Sequence, residues 1–114
     1  MVHVYLDDLR RCPKGFILAR NAAECMLLLD EYEIDILSLD HDLGHGEPTG
    51  YDVVKYMVEH GKFAKHIYLH TSSAIGRSNM YQMLYRYKPE GVSLHAAPMP
   101  DEILERVSRE HDQA

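Results

Sequence analysis

The sequence predicts an α/β protein built on a parallel sheet covered on both faces. Three observations carry this. Short apolar runs alternate with segments of helical periodicity, capping and breaking residues bound the helical segments, and almost every run stops at a carboxylate, an imidazole or a hydroxyl. Strands that alternate with helices form parallel sheets. Right-handed crossovers then bring all strand carboxyl ends to one edge, where open sheets of this kind bind ligands.

The first run, Val2-His3-Val4-Tyr5-Leu6, ends in Asp7-Asp8. His3 and Tyr5 dilute its apolar character. Residues 9–14 form a loop where a first helix is usual, and residues 15–19 make a short second strand. Asn21 caps the first helix, with Glu24 placed for a capping box. Ala22, Cys25, Met26 and Leu29 follow at core-facing spacing. Ile34-Asp35-Ile36-Leu37-Ser38-Leu39 is the third strand and ends in Asp40-His41-Asp42.

Residues 50–60 read as a helix with Val54, Met57 and Val58 inward. Ile67-Tyr68-Leu69 is the fourth strand and ends in His70-Thr71-Ser72. A third helix is expected from about Gly76, with Met80, Met83, Leu84 and Tyr87 at helical spacing and Pro89 and Gly91 ending it. Val92-Ser93-Leu94 is the fifth strand, ending in His95. A last helix runs from Pro100, favourable at a first helical position, with Ile103, Leu104 and Val107 buried.

The chain of 114 residues fits one domain, 1–114, with the polar tail 108–114 expected to fray. A net charge of −6 argues against an extended nucleic-acid surface but leaves room for a nucleotide or an RNA end in a local pocket. No basic segment followed by a long apolar stretch opens the chain, so neither a signal peptide nor a membrane span is expected, and the cytoplasm is the default. Cys12 and Cys25 have no metal-pair spacing. Cys25 reads as packing and Cys12 as an exposed loop thiol.

The chain resembles a receiver domain, the flavodoxin-like module of response regulators. Asp7-Asp8 is similar to its acidic pair, and Ala19-Arg20-Asn21-Ala22-Ala23-Glu24-Cys25 to the turn into its second helix. Asp40 after residues 34–39 resembles the phosphorylated aspartate, Gly50-Tyr51-Asp52-Val53-Val54 the start of its third helix, and Thr71 its switch hydroxyl. The resemblance implies an open five-stranded sheet of order 2-1-3-4-5 with helices on both faces; the chain departs from it in the first helix, which is missing or reduced to a loop. The lysine that receivers carry before a proline after the fifth strand is absent: Ala97 precedes Pro98. Leu39-Asp40-His41-Asp42-Leu43-Gly44, His70-Thr71-Ser72-Ser73 with Gly76-Arg77, and Leu94-His95 with Pro98-Met99-Pro100 are similar to a divergent receiver-like family named for cyclic-phosphate processing.

Asp7, Asp8 and Asp40 gathered at neighbouring strand ends repel one another unless a cation neutralises them. Oxygen ligands favour Mg²⁺, or Mn²⁺ if His41 or His45 contributes; both read first as solvated loop residues. Asp42 is either a further ligand or a cap of the next turn. His70 and His95 are candidate acid and base, because imidazole exchanges protons near neutral pH. Thr71 and Ser72 are candidate phosphate donors, and Arg77 a cationic contact. Residues 44–50, rich in glycine, read as a loop over the acidic site.

The resemblance implies a metal-assisted phosphoesterase acting on a cyclic phosphate, such as a 2′,3′-cyclic nucleotide or RNA end. The alternatives are a phosphoacceptor switch at Asp40 and a catalytically inactive receiver that binds a protein partner.

Overall fold

The computed structural model describes residues 1–114. Its elements run β1 Val2–Leu6, β2 Ile17–Ala19, α1 Ala22–Glu31, β3 Ile34–Leu39, α2 Gly50–His60, β4 His66–Leu69, α3 Ala74–Tyr87, β5 Ser93–His95 and α4 Asp101–Gln113. All five strands are parallel, in the order β2-β1-β3-β4-β5. Residues 7–16 contain no helix, as expected.

Strand side chains alternate between faces with period two, and this alternation sorts the core. Val4, Leu6, Leu37, Leu39, Ile67 and Leu69 face α1, α2 and α3, where Cys25, Leu29, Val53, Val54, Met57, Met80 and Leu84 meet them. On the opposite face Tyr5, Ile36 and Tyr68 lie under Met99 and Val107 from the α4 side, with Phe16 and Leu18 beside them. One helix and the loop before β2 therefore cover a face that several helices cover on the other side.

Caps set the helix starts. Asn21 Oδ1 accepts from the Glu24 amide at 2.9 Å, while Glu24 reaches back to the Arg20 amide rather than to Asn21. Thr49 and Asp52 form a complete capping box on α2. Ser73 Oγ accepts from the Gly76 amide at 3.0 Å, so α3 begins at Ala74, earlier than its apolar spacing suggested. Pro100 sits at the cap of α4, just ahead of the first helical residue.

Residues 108–113 continue α4 to Gln113, where Lys14 pairs with Asp112 and the Gly15 backbone lies against Val107 and His111. Two packing expectations are corrected. Cys12 is half-buried in the second core, its thiol directed at the Pro13 and Phe16 carbonyls. Tyr87 is exposed, because the core face of α3 is completed by Met80 and Leu84.

Candidate functional site

Register assembles the site. Tyr5, Ser38, Tyr68 and His95 are in-register neighbours across β1, β3, β4 and β5, and so form one row. One pleat further toward the carboxyl ends, on the same face, come Asp7, Asp40 and His70. The ladder continues into this second row: the Asp40 amide donates to Leu6 and the His70 amide to Leu39, both at 3.0 Å. One ligand atom from each of Asp7, Asp40 and His70 lies within 4.8 Å of the others, and all three residues are buried.

His70 is fixed on three sides. Nε2–H donates to Asp7 Oδ2 at 2.9 Å, because a carboxylate only accepts. Nδ1 therefore carries the lone pair and accepts from the buried Ser38 hydroxyl at 2.6 Å. The Tyr5 ring stacks on the imidazole with centroids 4.4 Å apart. Burial lowers the His70 pKa below 6.5, against the opposing pull of Asp7, so the ring is neutral at pH 7.

Asp7 is the most heavily bonded group. Its Oδ1 accepts from the Leu9 and Arg10 amides at 2.9 and 2.8 Å, and its Oδ2 also takes the Arg10 guanidinium at 2.9 Å. Burial pushes its pKa up. The Arg10 and Leu9 amides, the guanidinium and His70 outweigh that and hold it at about 2. Asp40 differs. Burial raises its pKa and the Asp7 charge adds to the rise, while the His41 amide on Oδ1 at 2.8 Å and the Thr71 hydroxyl pull the other way. Arg10 Nη1 stands 3.5 Å from Asp40 Oδ2.

A cleft of about 660 Å³ opens above this row. Asp7, Asp8, Asp40 and Asp42 line it, with Glu47, His45 and two glycines from residues 44–50 forming a further wall. Ser72 reaches it and Arg10 is its only cation. The loop 44–50 thus lies over the acidic groups. His41 is half-buried, with its ring against the Gly76 backbone at the start of α3.

Three other candidates do not line the cleft. His95 is exposed, stacks on Tyr68 at 4.3 Å, and lies one pleat short of the carboxylate row, off the cleft wall. Arg77 Nη1 donates to the Thr71 carbonyl at 3.0 Å, pinning the β4–α3 connection. Thr71 is buried; its Oγ1 accepts from the Ser73 amide at 3.1 Å.

Three residues of the site escaped sequence reasoning: Arg10, Ser38 and Tyr5. Ser38 had a signal, the one hydroxyl of its strand, set between Leu37 and Leu39 and two residues before Asp40. Tyr5 stands likewise two before Asp7. Arg10 had none, because its contact depends on the turn that Asp7 caps.

No helix is long and apolar enough to cross a membrane. No curated protein matches the chain. Residues 2–86 match the family described as the cyclic-phosphate processing receiver domain; the match takes in Asp7, Arg10, Ser38, Asp40, His70 and Thr71 and stops before His95. With that match over most of its length and a parallel sheet of order 2-1-3-4-5, the chain belongs to the cyclic-phosphate processing receiver domain family.

Proposed function

We propose that the cleft over Asp7 and Asp40 is the active site of a metal-assisted cyclic phosphodiesterase working in the cytoplasm. Its substrate is a small cyclic phosphate, a 2′,3′-cyclic nucleotide or RNA end. The observation that carries this is charge. Asp7, Asp8, Asp40, Asp42 and Glu47 face Arg10 alone across one cleft, so a phosphate enters only with additional positive charge. The oxygen donors suit a hard divalent ion, Mg²⁺ or Mn²⁺.

Asp7 and Asp40 would hold the ion, with Asp8 and Asp42 on the wall beside them. Bound there, the ion supplies charge stabilisation of a phosphoryl oxygen and a more acidic water. The chain does the rest. His70, neutral and bonded through both ring nitrogens, orients Asp7. Ser72 offers a hydroxyl at the cleft. His45, exposed on the cleft wall, is the imidazole placed to take a proton from the attacking water or to give one to the alkoxide oxygen that departs as the P–O bond breaks. His95, stacked on Tyr68 off the cleft wall, has no part in this reading.

Incubation with a 2′,3′-cyclic nucleotide and Mn²⁺ tests the reading. Hydrolysis is expected, reduced about 100-fold or more in Asp40→Asn. His45→Ala should alter the pH profile, and His95→Ala should change little. No product at high enzyme concentration, or product undiminished in Asp40→Asn, would remove the proposal.

A second reading has one observation in its favour. Arg10 stands beside Asp40 as a cation, in a chain that lacks the receiver's lysine. If Asp40 is a phosphoacceptor, a small phosphodonor with Mg²⁺ gives a mass increase of one phosphoryl group that Asp40→Asn abolishes.

A further inference from the structure

The oxygens open to a metal ion are already engaged by one guanidinium nitrogen. Asp7 Oδ1 is occupied by the Leu9 and Arg10 amides, and Asp40 Oδ1 by the His41 amide. That leaves Asp40 Oδ2 and, on Asp7 Oδ2, the lone pair not taken by His70 Nε2–H at 2.9 Å; Arg10 Nη1 stands 2.9 Å from the Asp7 oxygen and 3.5 Å from that of Asp40. A divalent ion held by Asp7 and Asp40 would need these same oxygens, beside which Nη1 now stands, and would compete with the guanidinium for them.

The backbone that carries Arg10 is anchored, whereas its side chain lies partly in solvent. Arg20 Nη1 donates to the Asp7 and Arg10 carbonyls at 3.1 and 2.9 Å, and Asp7 caps the turn. The Arg10 side chain is 46% exposed, against 1% for Asp7 and 10% for Asp40. Released from the carboxylates, it would turn about an anchored Cα within the cleft that Arg10 already lines. There its planar fork suits a phosphate better than a single carboxylate edge.

Building on the metal-assisted reading, we propose that Arg10 is an exchangeable counter-ion. It neutralises the Asp7–Asp40 pair in the metal-free protein, yields that place to the divalent cation, and then binds the substrate's phosphate. Two consequences follow from the exchange. Arg10 lowers the affinity for the ion, and it couples ion and phosphate positively, because the ion frees the group that the phosphate needs.

The test measures Mn²⁺ binding by electron paramagnetic resonance of the free ion. It compares the wild type, Arg10→Gln and Arg10→Lys, with and without inorganic phosphate. Arg10→Gln should bind Mn²⁺ about tenfold tighter or more, since a like charge has left the site. Phosphate should tighten Mn²⁺ binding in the wild type at least about fivefold more than in Arg10→Gln. Arg10→Lys, which keeps charge but loses the fork, should fall between and serves if Arg10→Gln does not fold. In Arg10→Gln the metal-free melting midpoint should drop and recover with Mn²⁺. Equal Mn²⁺ affinity in wild type and variants overturns the exchange and leaves the metal site standing. No Mn²⁺ binding in any of them overturns the metal-assisted reading and the exchange together.

Discussion

His70 and Asp7 form a pair whose protonation is set by their surroundings, and each gives a stability signature of its own. Burial keeps the His70 pKa below 6.5, so the unfolded chain takes up a proton there before the folded one does. Stability is therefore lost as pH falls below about 6.5. Chemical denaturation across pH 5–8 should show that slope, flattened in His70→Gln. Asp7 behaves as a carboxylate held at about 2. Its contribution, about 2 kcal/mol, is present above the unfolded value near 3.8 and disappears as pH falls through 2. Asp40, raised by burial, opposes folding when ionised. Asp40→Asn should accordingly match or exceed the wild type in stability at pH 7 while losing activity, a combination that marks a group kept for chemistry. Ser38→Ala removes the buried donor to His70 Nδ1 and should cost about 1–3 kcal/mol in urea denaturation.

Among the elements, β3 does most to build the site. Its alternation sends Leu37 and Leu39 into one core and places Ser38 and Asp40 on the other face. The carboxyl end of β3 is then locked by α2. The Gly50 amide donates to the His41 carbonyl at 2.8 Å, and a Cβ on Gly50 would overlap the Asp40 carbonyl oxygen and press on the Met80 sulfur. Gly50→Ala should therefore displace Asp40, lowering the melting midpoint by the equivalent of about 1–3 kcal/mol and weakening Mn²⁺ binding with it. The strands and helices were legible because period-two and helical patterns are local properties, and so was the acidic clustering, because strand ends share an edge. The start of α3 was less legible: its apolar spacing begins inside the helix, and the Ser73 cap alone sets the first turn. The length of α4 was hidden as well, since its polar end is held by Lys14 and the Gly15 backbone, distant in sequence.

At the scale of the whole molecule, the missing first helix shapes what the site contains. Residues 7–16 run as a loop, so Arg10 enters the acidic cleft from a turn rather than from a helix face. The same loop packs Cys12 and Phe16 beside Tyr5, whose ring supports His70 from below. The contacts between distant groups (Arg10 with Asp40, Ser38 with His70) were not readable, because they depend on how far each side chain reaches across the sheet. The spread of histidines along the chain suggested that His70 and His95 act together. The register instead seats His95 on Tyr68, one pleat lower. The most direct measurement is a crystal structure of the protein soaked with Mn²⁺ and phosphate, read by anomalous scattering. A single manganese peak is expected between Asp7 Oδ2 and Asp40 Oδ2, with Arg10 turned from the carboxylates onto the phosphate. Manganese elsewhere, or none there while Arg10 still bridges the two carboxylates, would contradict it.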